Sequence, residues 1–171
     1  SCILLGHSMG GKTAAYFALH YPQRVRSLWI IDITMRVYAP HHQIYFDAML
    51  SLDLQKTSSR NEADAHLESY NINTKERQFI LKNLVRDEDN RFTWRMNIAS
   101  LYTHYDQLNI PITSDHTFNK PVYVIKGSLS KYILDQDVQE MKKIFPQVEL
   151  ITIENAGHWV HADAPVELKE L

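Results

Sequence analysis

Hydrophobic and polar positions divide this chain into three stretches of different texture. Residues 2–5 form an unbroken apolar run of strand length. Such a run predicts a strand buried on both faces of a parallel sheet. After Ser8 comes a stretch rich in good helix formers, Ala14, Ala15 and Ala18 among them, which predicts a helix to about His20. Tyr21 and Pro22 stop it, because the residue before a proline leaves the helical region. Residues 25–31 are again apolar and partly β-branched, a second strand with Asp32 at its carboxyl end.

From residue 33 to about 118 the texture is helical. Patterns of helical period cover about 41–52, 60–70, 74–85 and 98–108. Thr74 is a candidate N-cap for the third. Between the last two, Phe92, Trp94 and Met96 alternate with polar residues, which predicts a short extended piece at 91–97. The strand–helix rhythm then returns. Residues 121–125 read as a strand ending at Gly127, 135–145 as a helix closed by Pro146, and 148–153 as a strand. A turn follows at 155–158, and Ala164 and Pro165 open a last helix. These patterns predict an α/β fold, a mostly parallel sheet with helices on both faces. The expected boundaries are 1–32 for the first part of the core, 33–118 for a helical cap or lid insertion, and 119–171 for the rest of the core. An insertion of about 85 residues is too long for a simple crossover.

Composition narrows the function classes. A chain of 171 residues, 44% hydrophobic, is one domain of ordinary size. Its formal charge of −2 and lack of a basic block argue against a nucleic-acid partner. One cysteine, Cys2, excludes a disulfide framework and a structural zinc site, and in its apolar run it reads as a buried small hydrophobe. No apolar stretch reaches the ~18 residues of a membrane span. The sequence opens on Ser1 inside a strand, so a fragment is expected, with the sheet's N-terminal strands missing and the edge beside residues 2–5 unpaired.

The run GHSMGGKT at 6–13 satisfies two unrelated patterns. As G-x-S-x-G it is a nucleophile elbow with Ser8 at its tip. As G-x-x-x-x-G-K-[ST] it is a phosphate loop with Lys12 and Thr13 on phosphate and magnesium, and LWIID at 28–32 adds a Walker-B-like strand. Both need a strand before and a helix after. In the elbow reading Gly6 and Gly10 relieve crowding, the Met9 backbone N–H is an oxyanion donor, and Lys12 is solvated or paired. A serine nucleophile needs a base, and His158 follows the fourth strand in a Gly-His turn. His161 is better suited to a supporting place. The orienting carboxylate has several candidates: Asp32, Asp135 or Asp137, and Glu154. The loop at 127–131 contains no carboxylate. Nothing in the phosphate-loop reading uses His158.

These residues carry a resemblance. GHSMGGK at 6–12, IDI at 31–33 and NAGHWVHAD at 155–163 resemble the α/β-hydrolase fold. More narrowly, with LKNLV at 81–85 and RFTWRMN at 91–97, the chain is similar to the subgroup of α/β-hydrolase domain-containing protein 11 and the YbfF-type esterases. The resemblance implies Ser8 as nucleophile, His158 as base, Asp32 as acid and Met9 N–H as one oxyanion donor, with the second donor outside this chain. It implies acyl-ester hydrolysis through an acyl-enzyme, a small acyl-ester or lipid-like substrate, and a mitochondrial or cytoplasmic location; no cofactor is expected, and no metal, because His158 and His161 have no third ligand nearby. A serine nucleophile separates the chain from dehalogenase and epoxide-hydrolase relatives, which use aspartate. Phe46, Met49, Phe79, Trp94 and Tyr102 are candidates either for an acyl pocket or for packing between cap helices. Two rivals stand beside this reading: a phosphate-loop nucleotide binder and a catalytically inactive binding domain.

Overall fold

A computed structural model describes residues 1–40 and 42–171. In chain order the elements begin with β1 (Cys2–His7), α1 (Met9–His20), a short 3-10 turn (Pro22–Arg24) and β2 (Val25–Ile31). Then come α2 (Gln43–Ser51), α3 (Arg60–Ser69), α4 (Thr74–Leu81), β3 (Leu84–Arg86), β4 (Phe92–Trp94), α5 (Ile98–Thr103) and α6 (Tyr105–Leu108). The chain closes with β5 (Val122–Gly127), α7 (Asp135–Met141), β6 (Val148–Ile153), α8 (Val160–Asp163) and α9 (Pro165–Lys169). These elements fall into two compact units, Ser1–Val37 with Ile110–Leu171, and Tyr38–Asn109.

In the first unit β1, β2, β5 and β6 form a parallel sheet in that order. Leu28 stands opposite Val122, and Val122 opposite Val148. Leu28, Ile30, Val122 and Val124 have lost all contact with solvent. The small face of α1, with Ala14, Ala15 and Ala18 buried, packs against β1 and β2. Alanines let the helix approach the sheet closely, which the alanine-rich sequence anticipates. A second cluster joins Ile31, Ile125 and Ile153 to Ala156, Val160 and Ala164, so α8 and the start of α9 close over the carboxyl ends of three strands.

Two expectations for the first strand are corrected. β1 is not buried on both faces, since Ile3 and Leu5 are 53% and 58% exposed, while its place at an edge of the sheet agrees with the unpaired edge expected beside residues 2–5. Cys2 is exposed rather than buried, with its thiol donating to the Arg24 carbonyl at 3.5 Å. An apolar run reports strand character but not whether both faces of the strand are covered. Residues 142–145, expected to be helical, lie beyond the end of α7. α8 was not anticipated, since its four residues are too few to show a period.

The second unit has its own core, which includes Phe46, Met49, Leu67, Leu84, Phe92 and Ile98. Phe46 and Met49 therefore serve as packing, and Trp94 joins them with its indole N–H donating to the Met49 carbonyl. Phe79 and Tyr102 are exposed. The expected start of the first helix at His41 lies outside the described residues. The N-cap of α4 is Asn73, not Thr74: its side chain accepts from the Glu76 N–H at 3.0 Å. α4 also stops at Leu81, and Leu84–Arg86 pairs antiparallel with Phe92–Trp94. The reason lies in the connecting turn, where Asn90 takes a positive φ and Asp87 Oδ1 accepts from the N–H groups of Asp89 and Arg91. That turn stabilises a hairpin at the expense of further helix. The helix expected over 98–108 divides at His104 into α5 and α6.

Phe118 and Phe145, both fully buried, meet edge to face with ring centroids 6.4 Å apart. Phe145→Ala should lower the unfolding free energy by about 3–5 kcal/mol, read from a urea melt, because the cavity it leaves cannot collapse fully.

Candidate active site

One residue separates β1 from α1, and that constraint shapes the elbow. Ser8 turns the chain with φ 53° and ψ −125°, a left-handed backbone that non-glycine residues rarely adopt. The turn is held from both sides. The Ser8 N–H donates to the Ile31 carbonyl at 3.0 Å, and the Ser8 carbonyl accepts from Gly11 N–H at 2.8 Å. A Cβ at Gly6 would lie 2.1 Å from the Gly10 carbonyl oxygen, so no side chain fits there. At Gly10 a Cβ would meet open space, whereas at Gly11 it would lie 2.6 Å from an Ile33 methyl. The second obligatory glycine is thus Gly11, not Gly10, because position 11 faces the sheet.

The same geometry removes the phosphate-loop reading. α1 begins at Met9, so Gly10, Gly11, Lys12 and Thr13 are already helical. A phosphate cradle needs outward-pointing N–H groups in an open loop. Here the Gly11 and Lys12 N–H groups are directed at the Ser8 carbonyl, and the Thr13 hydroxyl at the Met9 carbonyl. The Lys12 side chain is buried, its ammonium donating to the Ile110 carbonyl at 2.9 Å, and burial lowers its pKa.

Asp32 follows β2 and is completely buried. It too takes a positive φ, 49°, while its N–H donates to the Ile125 carbonyl at 2.8 Å. Its carboxylate collects three donors. Oδ1 accepts from Gly127 N–H at 3.1 Å, and Oδ2 accepts from the Ser130 hydroxyl and from His158 Nδ1 at 2.7 Å. A carboxylate can only accept, so His158 carries its proton on Nδ1. Nε2 then has a free lone pair, and it lies 3.0 Å from Ser8 Oγ. The result is a line, Ser8 to His158 to Asp32, polarised in one direction.

Of the candidate carboxylates, the structure brings Asp32 to His158. Asp137 accepts from Leu134 N–H at 2.8 Å and pairs with Arg36, while Asp135 and Glu154 are exposed. The Met9 N–H is the first of α1 and by position has no intrahelical acceptor. It stands next to Ser8, at the positive end of the helix.

Four residues at this site escaped the motif reading. Gly127 supplies a donor, and a Cβ on it would lie 2.4 Å from the Gly157 carbonyl oxygen, so only glycine admits the histidine loop. Ser130, in a loop that contains no carboxylate, donates its hydroxyl to Asp32. The Tyr132 ring stacks on His158, centroids 3.7 Å apart and planes 15° from parallel. His7 donates from Nε2 to the His158 carbonyl at 2.8 Å. His161 is exposed and meets the His7 ring edge-on at 5.0 Å. Spacing alone held no signal for these contacts, which join loops more than 90 residues apart in the case of Ser130 and Gly127 to Asp32.

Among the described residues no helix is long and apolar enough to cross a membrane, and no group of three or more His, Cys, Asp or Glu is arranged to hold a metal. Comparison with known proteins gives a consistent family. Residues 1–165 match the family model described as α/β hydrolase fold. The chain is 34% identical over 175 residues to the sn-1-specific diacylglycerol lipase ABHD11 of Mus musculus, covering 99% of this chain and 57% of the relative. It is 30% identical to the esterase YbfF of Escherichia coli (strain K12), covering 94% of this chain and 61% of that protein. The chain thus spans little more than half the length of these relatives. Among solved structures, a marine microorganism esterase matches with a TM-score of 0.93 at 37% identity, covering 97% of this chain and 66% of that one.

The glycine geometry makes a paired prediction. Gly6→Ala should abolish the soluble folded state or shift the elbow, seen as lost thermal cooperativity. Gly10→Ala should leave stability unchanged or raise it by up to about 1 kcal/mol, because alanine restricts the unfolded chain. Burial lowers the pKa of His7 below its ordinary 6.5, partly opposed by its bond to the His158 carbonyl. The folded state therefore prefers neutral His7. Its contribution to stability is complete above about pH 6.5 and is lost as pH falls towards the lowered folded value. Denaturation midpoints of wild type and His7→Gln, compared from pH 8 to pH 5, should converge as pH falls.

Proposed function

The chain belongs to the α/β-hydrolase fold family, and from that membership we propose that it is a serine hydrolase of carboxylic esters. The observation that carries the proposal is the hydrogen-bonded line of Ser8, His158 and Asp32, with steps of 3.0 and 2.7 Å. In this reading His158 Nε2 takes the Ser8 proton as Oγ attacks the ester carbonyl carbon. The carbonyl oxygen becomes an oxyanion, and the Met9 N–H donates to it. The imidazolium returns its proton to the leaving alcohol, and the C–O bond breaks to give an acyl-serine. His158 next deprotonates a water, which attacks the acyl carbon. Ser8 recovers its proton from His158, and the carboxylic acid departs.

Asp32 holds the imidazole in the tautomer with Nδ1–H and stabilises the imidazolium. Gly127, Ser130 and His158 all donate to its carboxylate, which fixes its orientation toward the imidazole. The substrate class follows from the relatives' names: an esterase and a diacylglycerol lipase point to an acyl ester, either small or lipid-like.

A fluorophosphonate probe tests the reading directly. Wild type should be labelled covalently and Ser8→Ala should not. Turnover of a p-nitrophenyl ester should fall by about 10⁴-fold or more in Ser8→Ala and in His158→Ala. Wild-type protein that is folded yet takes no label would overturn the proposal.

A further inference from the structure

We propose that His7 is a positioning residue for this chemistry: its Nε2–H, donated to the main-chain carbonyl of His158, anchors the histidine-bearing segment to the nucleophile strand and sets the Ser8–His158 geometry. The inference rests on the hydrolase reading above.

The need for such an anchor comes from the topology. β1 and β6 are the two outer strands of the sheet. At about 4.8 Å per strand spacing, three spacings separate their axes by about 14 Å. The segment after β6 must therefore run back over the ends of β5 and β2 before His158 can face Ser8. Its earlier residues are tied to the loop after β5 and to α8. Asn155 N–H donates to Ser128 Oγ, the Ala156 carbonyl accepts from Leu129 N–H, and Gly157 N–H donates to Asp163, each at 2.9 Å. None of these three bonds reaches β1. The His7 bond does, at 2.8 Å, and it joins the residue before the nucleophile to the base's own backbone.

The chemistry of the ring suits the task. A carbonyl only accepts, so His7 is protonated at Nε2 and a second proton would have to enter at Nδ1. The ring is partly buried, and two other imidazoles face it: His158 with centroids 4.8 Å away and His161 at 5.0 Å. Burial and both neighbours oppose a charge on His7, while Asp32 and the bond to the His158 carbonyl favour one. Burial is the largest of these influences, so His7 remains a neutral donor. Neutrality matters because His158 must become an imidazolium at each half-reaction, and a second cation in contact would disfavour it.

Two substitutions separate anchoring from space-filling. His7→Phe keeps the ring's bulk and removes the donor. His7→Gln restores an N–H near the Nε2 position without a titrating group. With a short p-nitrophenyl ester, His7→Phe should lose about 10- to 100-fold in kcat with KM changed less than about twofold, and His7→Gln should recover most of the loss. The second readout needs no turnover. Proton–nitrogen spectra of the histidine rings should show His7 as the Nε2–H tautomer. They should also show a far-downfield His158 Nδ1–H signal in wild type and His7→Gln, broadened or lost in His7→Phe. A His7→Phe protein with wild-type kcat and an intact His158 signal would overturn the proposal, as would a His7 ring protonated at Nδ1. Absence of turnover in folded wild type, with the ring signals behaving as described, overturns the hydrolase reading and supports the anchor.

Discussion

A carboxylate with no access to water must be satisfied by the protein that buries it, and Asp32 imposes that condition on the whole carboxyl end of the sheet. An unpaired buried charge costs several kcal/mol. Asp32 avoids this through three donors that come from three places: the end of β5, the loop beyond it and the segment after β6. Each donor requires its own backbone path. Gly127 must be glycine for the histidine segment to pass, and Ser130 must lie in a loop that folds back over β2. The parallel register, Ile31 against Ile125 and Ile125 against Ile151, brings the three paths to one level. Removing the charge would leave two donors and a histidine tautomer without their reference point.

The elbow is the complementary constraint, built by close packing rather than charge. Ser8 accepts a left-handed backbone that is unfavourable for any side-chain-bearing residue, a strain of order 1–3 kcal/mol. The structure offsets it with bonds to Ile31 and from Gly11, and with two positions, 6 and 11, where nothing larger than hydrogen fits. Strain here has a consequence for chemistry. It leaves the hydroxyl at the tip of the turn, beside the first free N–H of α1 and in reach of an imidazole whose lone pair points at it.

Much of this was legible in the residues, and the failures are instructive. Alternating and continuous apolar runs located β2, β5 and β6, although only β2 and β5 lie inside the sheet and β6 leaves Glu149, Leu150 and Thr152 exposed. The same rule located β1 but misjudged its burial, because an apolar run does not report what covers a strand's faces, and Ile3 and Leu5 are exposed. Helical period carried the expected third helix through Val85, where a four-residue turn of Asp87, Glu88, Asp89 and Asn90 instead favours a hairpin. Turn chemistry outweighed periodicity over so short a span. In the motif, Gly6 was correctly tied to crowding, but the second crowded position is Gly11, because helix phase and not motif spacing decides which residue faces the sheet.

Sequence by itself determined the local chemistry: a strand–serine–helix turn, a Gly-His turn late in the chain, and a set of carboxylates from which a partner had to come. Those features depend on neighbours in the chain, so they survive in a linear reading. Tertiary structure alone decided which carboxylate meets His158, that Ser130 and Gly127 complete its shell, that Tyr132 stacks on the imidazole, and that His7 ties the two outer strands' loops together. The physical reason is distance along the chain. Hydrogen-bond contacts spanning some 95 to 151 residues are set by sheet order and register, and the residues that make them carry no mark of their partners.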